Sequence, residues 1–453
     1  MAPPATEPTA ATRPAARRAL LAGSVGNLIE WYEFGVYGYF ATIIAERFFT
    51  PEGGSATEGL VKTYASFALA FFFRPLGAAV FGRLGDRLGR RPALILAVTT
   101  MTGATTLIGL LPAHATAGAL APWLLTLLRA VQGLSAGGEF GGAVAVMTEF
   151  APPHRRGRYG AWQSFTVALG LLTGAGFAAL LATVLTETSL HTWGWRLPFL
   201  LTLPLGLTAL WLRLRLDETP SFRRRQRADR RPQAPHKEPY QQKPRRNPPG
   251  KPPAPPSLPK AIALGAGRIM GWSAAGYTFL VVLPGYLQST LNATFQQALI
   301  ATALANLGFA ASILPAGALS DRWGRRPVMV AGAVLVTALA LPLLDLLQSP
   351  GASTLGKGFA LVGAGAVVGL LAGPGPAMLA EMFPTIVRYT GLGLAYALAN
   401  AVFSGSAGLI ITELVQHTGD ADIPAYYAAA TCALSIPALL TLRTADQRRT
   451  LHD

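Results

Sequence analysis

The chain has a single cysteine, Cys432, in 453 residues. That excludes an intrachain disulfide and any cysteine-based metal cluster, and Cys432 is expected to pack as a small hydrophobe. Charge is also scarce. Only 13% of residues are charged, against about 25% in soluble proteins, so a water-soluble globular domain is excluded. There is no P-loop, no nucleophile elbow and no HExxH. ATP-driven pumping, serine hydrolysis and zinc proteolysis therefore have no visible machinery, and an enzyme is not expected. His154, in a basic loop, reads as a solvated residue. Nothing calls for a cofactor or a metal. No cleavable leader is expected either, because the first apolar run is long, carries acids and lacks a small-residue cleavage site.

What is present is apolar length. Hydrophobic residues make up 51% of the chain and mean hydropathy is +0.37. Runs of about 20 apolar residues cross a bilayer as helices. We read twelve, near 19–45, 62–84, 93–112, 121–148, 159–185, 195–215, 261–286, 297–319, 327–347, 356–380, 390–415 and 423–443. The net charge of +16 would suggest nucleic acid on a soluble protein. Here the arginines crowd into alternate short loops, where they set topology, so no nucleic-acid partner is expected. The positive loops place both termini in the cytoplasm of a multi-pass plasma-membrane protein.

The predicted organisation is a disordered tail (1–18), a six-helix bundle (19–216), a cytoplasmic Pro/Arg-rich linker (217–260), a second six-helix bundle (261–443) and a short tail (444–453). The halves repeat. GRLGDRLGRRP starts at Gly82 and GALSDRWGRRP at Gly317, an offset of 235 residues. Glu149 with Pro152, Arg155 and Gly157 is echoed by Glu381 with Pro384, Arg388 and Gly391, an offset of 232. Two duplicated six-span halves are a secondary-carrier architecture, with the substrate site at their interface near mid-membrane. The expected fold is all-α, with twelve transmembrane helices in two pseudo-symmetric bundles.

Polar residues inside the spans are the site candidates, since intramembrane charges are costly and face a bundle interior or a watery path. Glu30 and Glu33 share one face of the first span and are candidate proton carriers. Arg129 needs a partner, for which Glu30, Glu33 and Glu139 are the candidates. Arg129 and Glu139 lie ten residues apart, about 15 Å along a straight helix, too far to pair directly. Arg74, before Pro75, either faces the cavity or marks a kink. Arg268 is either a carboxylate fork or a snorkelling anchor. Gln163, Trp272, Tyr277, Asn306, Tyr396 and Asn400 are neutral candidates for substrate contact; rings can hold an alkylated ammonium. In the loops, Gly82 and Gly317 allow close helix approach. Arg90 and Arg91 are matched with Asp86 and Glu149, and Arg325 and Arg326 with Asp321 and Glu381. These are read as a cytoplasmic latch that breaks on inward opening.

GRLGDRLGRRP, its second copy and RAVQGLSAGGEFGG resemble the signature motifs of the major facilitator superfamily. GNLIEWYEFGVYG, FFRPLG from Phe72, GGEFGGA from Gly137, WGWRLPF from Trp193 and LDETPSF from Leu216 resemble its metabolite:proton symporters, a family that includes proline/betaine, α-ketoglutarate, citrate and shikimate carriers. The likeness covers nearly the whole chain apart from the tails and linker. Glu33 stands where that family usually has aspartate. EWYEFGVYGYF is more similar to the proline/betaine carriers, LAEMFPTIVRYTGLGLAYALANAVFSGSA from Leu379 to the α-ketoglutarate carriers. The resemblance implies proton-coupled symport, with the proton-bearing acid held by Arg129 until substrate and proton load together. The implied partners are a small-molecule solute, protons and membrane lipid, and the expected state is a monomer. The alternative within transport is a proton-driven exporter of drug-like compounds; a receptor would need an output domain that neither tail nor linker supplies.

Overall fold

The computed structural model describes residues 13–51, 53–88, 90–149, 151, 154–215, 257–383 and 388–442. The expected linker lies almost wholly outside the described residues, as does the C-terminal tail. Helix begins at Arg13, ahead of the predicted start at 19.

The described residues form twelve helical spans and no strand. Nine are long and apolar enough to cross a membrane by composition alone. The first, fourth and seventh fall short. The first (13–49) carries Glu30 and Glu33 and ends in a π-helical turn, Ala45–Phe49. The fourth is split into Leu120–Ala136 and Phe140–Glu149 by the break at Gly137, Gly138 and Glu139. The seventh passes from Leu258–Tyr277 into a π-helical turn, Thr278–Val282. Within a helix, π turns frequently mark functional sites, and all three of these imperfect spans contribute to the site below. The eleventh also carries a π turn, Asn400–Gly405. The tenth breaks between Thr354–Ala372 and Gly375–Met382, matching the fourth in the duplicated scheme.

The halves meet through the fifth span (Arg156–Val184) on the eighth (Phe295–Trp323), and the second (Ala56–Leu88) on the eleventh (388–418). The first of these contacts closes around two glycines at the end of the molecule that carries the arginine loops. A Cβ on Gly317 would sit 2.7 Å from the carbonyl oxygen of Gly157, so only glycine permits this approach. Beside it, the Asp321 carboxylate accepts from the backbone N–H of Gly157 (2.7 Å) and Arg158 (2.9 Å) in the other half.

Arg325 does pair with Asp321 (2.8 Å) and Glu381 (3.0 Å), but those bonds stay inside the second half. What crosses between halves is Asp321 on backbone amides, with Arg325 holding the carboxylate in place. Arg326 is exposed. Arg91 donates to the Leu214 carbonyl. Gly82 is buried in the second span. The side chains of Asp86, Arg90 and Glu149 lie outside the described residues. At the opposite end the halves part around a cavity of about 680 Å³, lined by Thr42, Glu46 and His191 from one half and Gln288, Phe295 and Gln296 from the other.

Asp321→Ala removes the acceptor of two cross-half bonds, each worth about 1.5–3 kcal/mol where a charge is involved. Spin labels at positions 158 and 322 should then show a longer-distance population at this end; an unchanged distance distribution would mean that the latch lies elsewhere.

Candidate proton and substrate site

The first span threads its polar face through the middle of its bundle. Glu30 and Glu33 are both buried, Glu33 completely. Glu30 faces Arg74 across 3.8 Å, an ion-pair contact longer than a hydrogen bond. The Arg74 guanidinium lies 4.2 Å from the ring centres of both Phe34 and Phe71 and 5.5 Å from that of Trp31. Its Nε and Nη2 have no hydrogen-bond acceptor. Pro75 sits inside the same continuous helix, and Arg74 is a buried, bundle-facing cation.

Arg129 is fully buried and takes none of the three acids expected for it. Its Nη1 donates to Gln132 Oε1 (2.6 Å) and Gln132 Nε2 to Thr105 Oγ1 (2.7 Å), whose one proton is shared between the Met101 carbonyl (2.9 Å) and Glu33 Oε2 (3.2 Å). Its guanidinium stacks over Tyr37 at 4.1 Å and lies 4.9 Å from Phe67 and 5.2 Å from Phe34. Cation–π contact of this kind is worth about 2 kcal/mol or more when desolvated, and it substitutes in part for a counter-ion. Arg129 Nε and Nη2 and Glu33 Oε1 remain without partners. Phe34 thus serves both arginines. Glu139 pairs instead with Arg213 of the sixth span, both buried.

Between the halves lies a small central pocket bounded by Trp31, Trp272, Tyr277, Phe309 and Tyr396, with Ser164, Ser273 and Asn400 as polar edges. Tyr277 OH and Ser273 Oγ are buried and unpartnered. Asn400 reaches the pocket from the start of the eleventh-span π turn, its amide bonded to the Tyr396 carbonyl (2.8 Å). Asn306 bonds the carbonyls of Leu280 (3.2 Å) and Thr302 (3.0 Å) and leaves its Oδ1 unpartnered. Gln163 is tied to Asn27 of the first span (3.3 Å) and glues the first span to the fifth. Arg268 does not line the pocket. It is buried and donates to the Ala438 carbonyl (3.2 Å) and Thr441 Oγ1 (2.9 Å) at the end of the twelfth span, tying the seventh span to the twelfth. Among the described residues no group of His, Cys, Asp or Glu is placed to hold a metal.

Sequence reasoning passed over Arg213, Thr105, Gln132 and the ring set Trp31, Phe34, Tyr37, Phe67 and Phe71. Gln132 was findable, three residues after Arg129 and so on the same helix face. Arg213 was hidden among the charges that close the sixth span.

The comparisons with known proteins fit this geometry. The family model for sugar (and other) transporters matches residues 19–238, and that for the major facilitator superfamily matches residues 261–452. The chain is 33% identical to the proline/betaine transporter of Salmonella typhimurium, over 91% of this chain and 80% of that protein. It belongs to the major facilitator superfamily. It is 34% identical to the citrate-proton symporter of Klebsiella pneumoniae (94% of this chain, 92% of that one) and 34% identical to the α-ketoglutarate permease of Escherichia coli (87% of each). The proton:xylose symporter XylE, solved with 6-bromo-6-deoxy-D-glucose, superposes with a TM-score of 0.73 at 17% identity over 95% of each chain. The superfamily fold accounts for the twelve spans, the doubled loop motif and the pocket between the halves.

Thr105→Val removes both the donor to Glu33 and the acceptor for Gln132. It should destabilise the purified protein by about 1–3 kcal/mol, seen as a lowered thermal transition, with loss of accumulation exceeding loss of exchange. An unchanged transition and unchanged accumulation would show that the relay is idle.

Proposed function

We propose that this chain is a proton-coupled symporter that takes up a small organic solute across the plasma membrane by alternating access, with both termini cytoplasmic. The arginine loops support that orientation. The end sealed by Gly157, Gly317 and Asp321 is then cytoplasmic, and the 680 Å³ cavity faces outward. One chain supplies both halves of the pathway, so the working unit is a monomer in lipid. Drug export is the weaker reading: the central pocket is small and edged with unmet hydrogen-bonding groups, and the relatives named above are metabolite carriers.

The observation that carries the proposal is the loose Glu30–Arg74 pair, 3.8 Å apart, with two Arg74 N–H groups unmet. Arg74 can hold Glu30 or a solute carboxylate. A solute that takes Arg74 leaves Glu30 buried without its cation, and an uncompensated buried charge is costly. A proton on Glu30 removes that cost. Solute and proton therefore load together. Glu33, joined through Thr105 and Gln132 to Arg129, is the second acid of the same polar face.

The solute class follows from the rings. A pocket walled by two Trp, two Tyr and a Phe suits an alkylated ammonium, while Arg74 behind Trp31 suits one carboxylate. We infer a zwitterion of the betaine or proline kind in preference to a dicarboxylate such as α-ketoglutarate.

In proteoliposomes with an imposed inward proton gradient, betaine or proline should accumulate and α-ketoglutarate should compete poorly. Glu30→Gln should abolish accumulation and spare solute exchange. Accumulation of α-ketoglutarate alone would reverse the choice of solute, and full accumulation by Glu30→Gln, Glu33→Gln and the double variant would end the proton role of these acids. Trp272→Ala should weaken zwitterion uptake about tenfold or more if the ring carries about 1.4–2 kcal/mol of cation–π contact.

A further inference from the structure

The break in the fourth span joins three features that the symport cycle above leaves separate. Its last residue, Glu139, is paired with Arg213, and Arg213 also donates to the Leu94 carbonyl of the third span (2.8 Å). The pair is pressed on the backbone of the first span, where a Cβ on Gly26 would lie 2.8 Å from Glu139 Oε1. Gly26 and Glu30 are four residues apart and share a helix face. The break is also pressed on the second span, where a Cβ on Gly137 would come within 2.9 Å of the Arg74 carbonyl carbon. The next residue, Phe140, stacks on Tyr396 of the other half, with centroids 3.4 Å apart and planes 6° from parallel. Tyr396 lines the central pocket and lies 6.0 Å from Trp272.

We propose that the Phe140–Tyr396 stack is the inner gate of the solute pocket and that the Glu139–Arg213 pair holds it shut. The ion pair fixes the break, the break aims Phe140, and Phe140 caps the pocket on the cytoplasmic side. Because the break abuts the helices bearing both Glu30 and Arg74, any shift between those two side chains reaches the gate through backbone contact. Arg213 and Glu139 are positioning residues, acting through Phe140. The proposal rests on the membrane orientation given above.

The test reads gate position and needs no solute. Cys432→Ser removes the native thiol, Ser273→Cys places a reporter in the pocket, and a membrane-impermeant maleimide is applied to inside-out vesicles and, separately, to intact cells. Phe140→Leu and Tyr396→Leu should each raise labelling from the cytoplasmic face at least about fivefold, as loss of one ring stack implies. Glu139→Gln and Arg213→Gln should do the same, and Phe140→Tyr should keep the parent rate. Unchanged cytoplasmic labelling in both leucine variants, each eluting as a monodisperse peak, overturns the gate. A rise in the leucine variants with parent rates in Glu139→Gln and Arg213→Gln overturns the control by the ion pair. Faster labelling from the outside in the leucine variants would place the stack on the wrong side of the pocket and overturn the gate and the orientation together. Failure of symport itself would show separately, as absent accumulation by the parent protein.

Discussion

Two guanidinium groups buried in a membrane bundle, with one loosely held carboxylate within ion-pair reach, set the terms for this molecule. Arg74 and Arg129 cannot leave and cannot lose their charge. Their surroundings compensate with ring faces from Phe34, Tyr37, Phe67 and Phe71, and with neutral acceptors such as Gln132. Rings and amides offset a cation only in part. The N–H groups left unmet on both arginines are a standing demand for an acceptor.

The duplicated halves have divided the work. The buried ionisable groups of the described site, Glu30, Glu33, Arg74, Arg129, Glu139 and Arg213, all belong to the first half. The second half contributes Trp272, Ser273, Tyr277, Asn306, Phe309, Tyr396 and Asn400, which are rings, hydroxyls and amides. Duplication preserved the architecture, down to the matching breaks in the fourth and tenth spans, while chemistry diverged within it. At the break itself one half carries Glu139 and the other Pro374, a charged hinge against a neutral one.

The two ends of the molecule differ for a related reason. The end that carries the arginine loops uses backbone contact, Gly157 on Gly317, and a carboxylate on amide N–H groups. The opposite end is held by single neutral bonds such as Thr42 to Gln288 (3.1 Å) and Gln296 to Thr183 (3.0 Å). Neutral pairs are weaker than charge-assisted ones, and the 680 Å³ cavity lies at the weakly tied end.

The sequence by itself determined the fold. Bilayer thickness sets span length, and the 235-residue echo of the loop motif announces the duplication, so both can be counted without coordinates. It also marked most of the polar residues that matter, because a charge inside an apolar run stands out wherever it points. What it left undecided was who faces whom. Arg129 was expected to hold an acid and holds Gln132 and Tyr37; Glu139, too far along its own helix to meet Arg129, had no named partner and pairs with Arg213; Arg268 is bonded to the twelfth span and does not line the pocket. Apart from Arg129 on Gln132, three residues on along the same helix, these contacts are made across helices far apart in the chain, and the choice among several nearby carboxylates depends on rotation and offset of rigid helices by an ångström or two. The aromatic residues were hidden for the opposite reason: in an apolar run a phenylalanine that cradles an arginine reads the same as one that meets lipid, and only the packed bundle tells them apart.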